Sequence, residues 1–398
     1  MPRKPALGPL AGIKVVDLSQ IVSGPMAAAM LAEQGAQVIK VESPGGDPVR
    51  VLGPKKGDRS SMFIAVNRGK QGLSIDLKTR GGRTILERLV RWADVLVENF
   101  RPGTMERLGF GATRCAELNP RLIFASITGF GPDGPYRNIR VYDPVVQAVS
   151  GLAATQTDRD GKPGLVRNLV ADKVTALTMA QAITAALFHR ERTGVAQRID
   201  VAMVDAALAF NWPDGMYNYS FVDDPPALFP EYGSMMRLWA AADGQVAIGF
   251  MQDIEFQAMM RSLGRDDIAD NPRLMGVAGR MQYQNEWAPE LAKELAVRTR
   301  AELMAGFIRE GAVGGLVNAL PDVIDDPQIV HNDSVALVDH GSAGRVRAAR
   351  PAARFGVTPA APGSAAPQRG EHGTAVMTAL GFTEAEIAGF AADGSLKA

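Results

Sequence analysis

The sequence predicts an α/β protein: a large Rossmann-like domain with a mostly parallel sheet, and a smaller α/β domain. Three observations carry that prediction. Apolar, β-branched runs alternate with helical patterns from residue 13 to residue 131; a connector rich in Pro, Asp and aromatics interrupts the chain after residue 210; and a polar helical segment follows it. A chain of 398 residues is long enough for two domains.

"IKVVDLS" (13–19) reads as the first strand and "GPMAAAMLAEQGA" (24–36) as a helix, with Pro25 in its first turn and Gly35 at its end. "QVIKVE" (37–42) completes a β-α-β unit. "GLSIDLK" (72–78), the helical "GGRTILERLVRWA" (81–93), "DVLVENF" (94–100) and "RLIFASITGFG" (121–131) continue the alternation. A long, almost uncharged helix over roughly 172–190 starts in "NLVADKVTALTMAQAITAALF" and ends in "HRERTGVAQ", where cations fill the last turn and Gly194 stops it. "RIDVAMVDAALAF" gives a short strand and another helix. The connector "NWPDGMYNYSFVDDPPALFPEYGSM" leads to "RLWAAADGQVAIGF", a hairpin turning at "ADG". Residues 251–312 read as helical and polar, 341–370 as loops or edge strands, and "GTAVMTALGFTEAEIAGF" as two closing helices.

Lys plus Arg and Asp plus Glu each number 43, which points away from nucleic acid or an anionic membrane as the main partner. No run reaches the ~18 apolar residues of a membrane span, and the start lacks a signal-peptide core, so a cytoplasmic protein is expected. Cys115, the one cysteine, excludes an intramolecular disulfide framework; "TRCAELNPRL" reads as a surface helix leading into a turn, with the thiol as a packing group. His189, His331, His340 and His372 show no ligand spacing, so no metal is implied.

"GFGPDG" (129–134) matches the letters of a dinucleotide fingerprint, but Pro132 and Pro135 flank its last glycine and no helix opens after it, which argues against NAD. "SQIVSGPM" is a better anion site, because the N–H groups of a helix start follow Ser23 and Gly24. "NRGKQG" and "NFRPG" carry Arg68, Lys70 and Arg101 in loops beside strands. Asp143, in "RVYDPVVQAVSGL", and Asp172 both read as helix caps.

In this order, "LAGIKVVDLSQIVSGPMAAAMLAEQGAQVIKVESPGGDPVR", "LSIDLK", "ADVLVENFRPG", "NPRLIFASITGFGPDGPY", "YDPVVQAVSGL", "VADKVTAL", "HRERTGVAQRIDVAMVDA", "DDPQ" and "RGEH" resemble the class III acyl-CoA transferases, of the formyl-CoA and carnitine-CoA transferase (CaiB/BaiF) type, a family that includes the α-methylacyl-CoA racemases. The resemblance implies that Asp172 is a nucleophile forming an aspartyl–acyl anhydride and then an aspartyl-CoA thioester, with acyl-CoA and a small carboxylic acid as substrates. A carboxylate is a nearly isoenergetic relay between two thioesters. By position, Val22 and Ser23 should touch the CoA chain, and Lys70, Asn99, Arg101 and Arg140 its nucleotide and phosphates. Arg50 is the candidate for the 3′-phosphate, and Asp143 the acidic residue beside the nucleophile. A helix-start position is expected to keep Asp172 ionised.

The resemblance also implies an interlocked homodimer of ring-shaped chains, with a large CoA-binding domain over 1–205, a linker over 206–230, a small domain over 231–320, and a linker and C-terminal return over 321–398. "FPEYGSM" (229–235) would stand where formyl-CoA transferase carries a glycine loop, and "NWPDGMYNYSF" is a region for acceptor contacts. Racemases carry His where this chain has Tyr142, and a phenol of pKa about 10 is a poor base, so CoA transfer is favoured over the racemase alternative. A non-catalytic CoA-binding protein is the other alternative.

Overall fold

The structure, a computed structural model, describes residues 8–158 and 160–397, the side chain of Met235 excepted. The chain forms two compact units, one running to Phe229 and resuming at Asn332, the other spanning Pro230–His331.

The first unit is built on a seven-stranded sheet. Its strands are β1 (Lys14–Asp17), β2 (Gln37–Glu42), β3 (Lys70–Ile75), β4 (Val95–Glu98), β5 (Ile123–Thr128) and β6 (Arg198–Ala202), with the short strand Leu396–Lys397 at one edge. From that edge strand the order runs β3-β2-β1-β4-β5-β6. All neighbours are parallel except the edge pair. The order reverses between β1 and β4, and open sheets of this type bind ligands outside the carboxyl ends of the strands at that point.

Both faces are covered, which is why the strands read as unbroken apolar runs. Val15, Val38, Val95, Val97, Ile123 and Ala125 pack under helices α1 (Ser23–Glu33), α2 (Val170–Thr193) and α3 (Met203–Gly215). Their alternates Val16, Ile39, Leu73, Leu96 and Phe124 pack on the other face with Leu86, Leu89, Cys115 and Met377. Cys115 is therefore fully buried, on the inner side of its surface helix. Its thiol donates to the Phe110 carbonyl at 3.2 Å, and burial pushes its pKa up to about 12, which suits packing and removes it as a nucleophile.

The second unit has an antiparallel sheet of β7 (Leu238–Ala241), β8 (Gly244–Ile248) and β9 (Gly314–Leu316). Ala242 and Asp243 make the β7–β8 turn, as the sequence predicts. Its core centres on Phe250, Phe256 and Trp287, whose rings meet edge to face with centroids 5.2–5.5 Å apart. Among the described residues no helix is long and apolar enough to cross a membrane, and no group of three or more His, Cys, Asp or Glu is placed to hold a metal.

Candidate active site

α2 begins two residues before Asp172, at Val170, and is preceded by Leu169, whose side chain caps nothing. The sequence expectation that Asp172 caps its own helix is thus corrected. Asp143 supplies the cap instead: its Oδ2 accepts the backbone N–H of Asp172 at 3.0 Å, while its Oδ1 accepts from Gln147 Nε2. Asp143 is itself the first residue of the helix Asp143–Val149 and lies 1% exposed. The far end of α2 is fixed by Arg190, buried and paired with Asp94 at 3.0 Å, and by Gly194 at φ 76°.

With its N–H satisfied by Asp143, Asp172 turns its carboxylate toward Ser23, the first residue of α1. The Asp172 pKa is raised to about 6, first by burial and then by the charge of Asp143; the hydroxyl and backbone N–H of Ser23 oppose the rise. The helix start therefore does not keep this carboxylate in the ordinary acidic range, and the first N–H of α1 faces a side-chain carboxylate. Among the described residues no cation is placed to lower it, and burial outweighs the helix field.

A raised folded-state pKa means that the folded protein binds the Asp172 proton more tightly than the unfolded chain. The stability cost is absent below pH 4, grows as pH rises toward 6 and is complete above it. From the ordinary value of 3.8 to about 6 it amounts to about 3 kcal/mol. Asp172→Asn is expected to raise the urea midpoint at pH 7.5 and to leave it nearly unchanged at pH 4, as measured by chemical denaturation at both pH values.

The turn from β1 into α1 is held by side chains from four other segments. Asn99, at the end of β4, accepts from Gln20 N–H and donates to Gln20 C=O, both at 2.8 Å, across the point where the strand order reverses. Asp47 Oδ1 accepts the Ile21 N–H at 3.1 Å. Lys40 Nζ donates to the Ser19 carbonyl, and Lys70 Nζ to the Pro25 carbonyl at 2.8 Å. Ile21 sits at φ 69°, a left-handed conformation costly for a β-branched residue. Gly24 is required sterically, since a Cβ there would lie 2.3 Å from Ser19 Cβ. Gly24→Ala should push the start of α1 off Asp172 and, by overpacking against Ser19, lower the melting temperature by about 3 °C or more, measured by a melting curve.

Lys70 and Arg50, expected along CoA, are both paired inside the protein. Lys70 Nζ is fully buried and spends its three N–H donors on Asp17 Oδ2 at 2.8 Å, Asn67 Oδ1 at 2.9 Å and the Pro25 carbonyl. Burial pushes it down to about 8 against the pull of Asp17, so it keeps its charge at neutral pH. Arg50 forms a buried fork on Glu42 at 2.6 and 2.7 Å, and its remaining N–H groups reach Asp58 and the Pro367 carbonyl. Each cation answers a buried carboxylate on a neighbouring segment.

Of the other expected contacts, Val22 and Ser23 are buried at the α1 start, Asn99 is half-buried with both ends of its amide bonded to Gln20, and Arg101 and Arg140 are exposed. The "GFGPDG" turn opens no helix: helical structure resumes only at Asp143. Its role is packing, for Gly129 has no room for a Cβ beside Val141 Cγ2, 2.2 Å away. Glu98 escaped sequence reasoning. It ends β4 buried, with burial raising its pKa to about 7, beside Ser126 and the Phe100 N–H at 2.8 Å. A glutamate closing an apolar strand next to the first turn was the available signal.

The chain matches the family model described as CoA-transferase family III over residues 10–373. It is 36% identical over 332 residues to acetyl-CoA:oxalate CoA-transferase of Acetobacter aceti, covering 82% of this chain and 85% of that one. It is 35% identical over 338 residues to succinate–glutarate CoA-transferase of Agrobacterium fabrum, covering 82% and 84%. Among solved structures it resembles a CaiB/BaiF family protein from Brucella suis with a TM-score of 0.81 at 31% identity, covering 94% of this chain and 100% of that one. A carboxylate seated between two helix starts at the reversal point of a Rossmann-like sheet, in a chain matched along almost all of its length, makes this protein a member of the family III CoA-transferases.

Proposed function

We propose that the protein moves CoA from an acyl-CoA donor to a carboxylic acid through covalent intermediates on Asp172. The observation that carries this is the state of that side chain: buried, without a cationic partner among the described residues, raised to about 6, and aimed at donors rather than used as a cap. A carboxylate of that pKa is ionised at pH 7 yet more nucleophilic than an ordinary aspartate.

An Asp172 carboxylate oxygen attacks the thioester carbonyl of the donor, and the tetrahedral adduct expels CoA thiolate to leave an aspartyl–acyl anhydride. The thiolate attacks the aspartyl carbonyl and displaces the donor acid, giving an aspartyl-CoA thioester. The acceptor carboxylate attacks that thioester, again releasing thiolate. The thiolate then takes the acceptor acyl group and frees Asp172. In this scheme Ser23 donates to the oxygens on which charge develops. Asp143 does not attack; it fixes the α2 start and raises the basicity of Asp172. The apolar stripe of α2, with Ala171, Ala176 and Met179 buried, helps exclude water from the anhydride. Val22 and Ser23 line the path of the CoA chain, and exposed Arg101 and Arg140 take its phosphates.

The family relatives that act on oxalate and on succinate and glutarate make small dicarboxylates the first acceptors to test. Pairing acetyl-, formyl- and succinyl-CoA with oxalate, glutarate and mesaconate, and following each new acyl-CoA by chromatography, should give at least one productive pair. Exchange of an α-proton in deuterated water without transfer would replace this scheme with racemisation. For the productive pair, kcat/KM should fall about tenfold per pH unit below pH 6, because protonation removes the nucleophile. A flat profile from pH 7 to 5 would contradict it.

We also propose a cytoplasmic homodimer of interlocked chains. Phe221, Val222 and Leu228, ahead of the second unit, Leu320 and Val330, near its end, and Val357, beyond it, expose apolar side chains that a partner would cover. Sedimentation analysis should give a dimer mass at micromolar concentration.

A further inference from the structure

We propose that Asp47 and Asn99 act as positioning residues for the Asp172 chemistry, together holding the Gln20–Ile21 peptide so that the start of α1 stays aimed at the carboxylate. This rests on Asp172 being the nucleophile.

The geometry is specific to one peptide unit. Asn99 Nδ2 donates to its C=O, on Gln20, at 2.8 Å, and Asp47 Oδ1 accepts its N–H, on Ile21, at 3.1 Å. The plane is thus gripped at both ends by side chains from two different segments. On the other side of Ile21 the chain enters α1 at once, and α1 is locked against Ser19 through Gly24. A fixed plane before Ile21 and a fixed helix after it leave the torsion between them no freedom, and it sits at φ 69°. Ile21 is one of three described non-glycine residues with positive φ, and the only β-branched one, the others being Asp224 and Asp333. A residue of this type relaxes toward negative φ when it is not held, and that rotation would swing Val22 and Ser23 away from Asp172.

The two clamps are themselves rigid. Asp47 Oδ2 takes Lys40 Nζ at 2.9 Å, its Oδ1 also takes the Val49 N–H at 3.0 Å, and its own N–H donates to Glu42 at 2.8 Å. Asn99 follows directly on β4. Neither side chain has to touch substrate for its loss to misalign the site.

Glycine at position 21 separates positioning from mere structural support, because it adopts positive φ without strain and makes the clamp dispensable. The experiment measures kcat, KM and the rate of hydroxylamine capture at Asp172 for Asp47→Ala and Asn99→Ala, each alone and combined with Ile21→Gly. Circular dichroism and melting curves report folding. Each single clamp variant should lose about 30- to 100-fold in kcat with KM moved less than about threefold, and Ile21→Gly should restore about tenfold or more. Clamp variants that keep wild-type kcat, or lose it without rescue by glycine, would overturn the proposal while wild type still labels. A wild type that never labels at Asp172 overturns the nucleophile assignment instead. If Asp47→Ala fails to fold, Asn99→Ala, a neutral change at a half-buried site, decides.

Discussion

Asp172→Ala is expected to abolish CoA transfer, lowering kcat by about 10⁴-fold or more while the protein stays folded. The size follows from the role: the proposed route has no uncatalysed equivalent in which an acceptor carboxylate displaces CoA without an enzyme-bound relay. No described neighbour can substitute. Asp143 is 1% exposed and spends its oxygens on Gln147 and the Asp172 N–H, while the Ser23 hydroxyl has no base beside it. Stability should move the other way, because the variant removes a carboxylate whose ionisation opposes folding at neutral pH. Formation of the acceptor acyl-CoA by the productive pair, followed by chromatography, measures the first effect. Residual turnover within about tenfold of wild type would show that another group carries the reaction.

Lys70→Met is expected to cost about 3–5 kcal/mol of stability, enough to leave much of the protein unfolded at 37 °C. The ammonium and Asp17 are both fully buried, so its removal strands a carboxylate among Lys40, Ser19 and apolar neighbours. The double variant Lys70→Met/Asp17→Leu should recover part of that loss, because replacing both partners avoids the unpaired charge. Urea denaturation of the two variants and wild type gives the comparison. A single variant within about 1 kcal/mol of wild type would mean that Lys70 is not the structural anchor described here.

The sequence disclosed the fold through patterns that depend on local burial. Val15 and Val16 point to opposite faces of the sheet, and a strand covered on both faces must read as an apolar run, which is what "IKVVDLS" shows. Asp172 was legible as a residue of interest, but its surroundings were not. The carboxylate that caps α2 comes from Asp143, 29 positions away, and no spacing rule reaches that far.

The partners of two cations were hidden for the same reason. In "NRGKQG" Lys70 looks like a loop cation, yet it is the first residue of β3 and turns inward to meet Asp17 on β1, a pairing fixed only once β2 lies between them. Arg50 looked free because its partner Glu42 belongs to the preceding strand and Pro367 to the far end of the chain. The strain at Ile21 has no signature in the letters "SQIVSGPM", since nothing in an isoleucine announces a positive φ.

The proposed chemistry turns on a covalent bond at Asp172, which trapping reports. Wild type and Asp172→Ala are incubated with the panel of acyl-CoA donors, quenched with hydroxylamine, digested and mapped by mass spectrometry. A hydroxamate on Asp172 is expected in wild type alone, formed together with released donor acid or CoA. Productive transfer with no label at Asp172, or with equal label in the alanine variant, would contradict it.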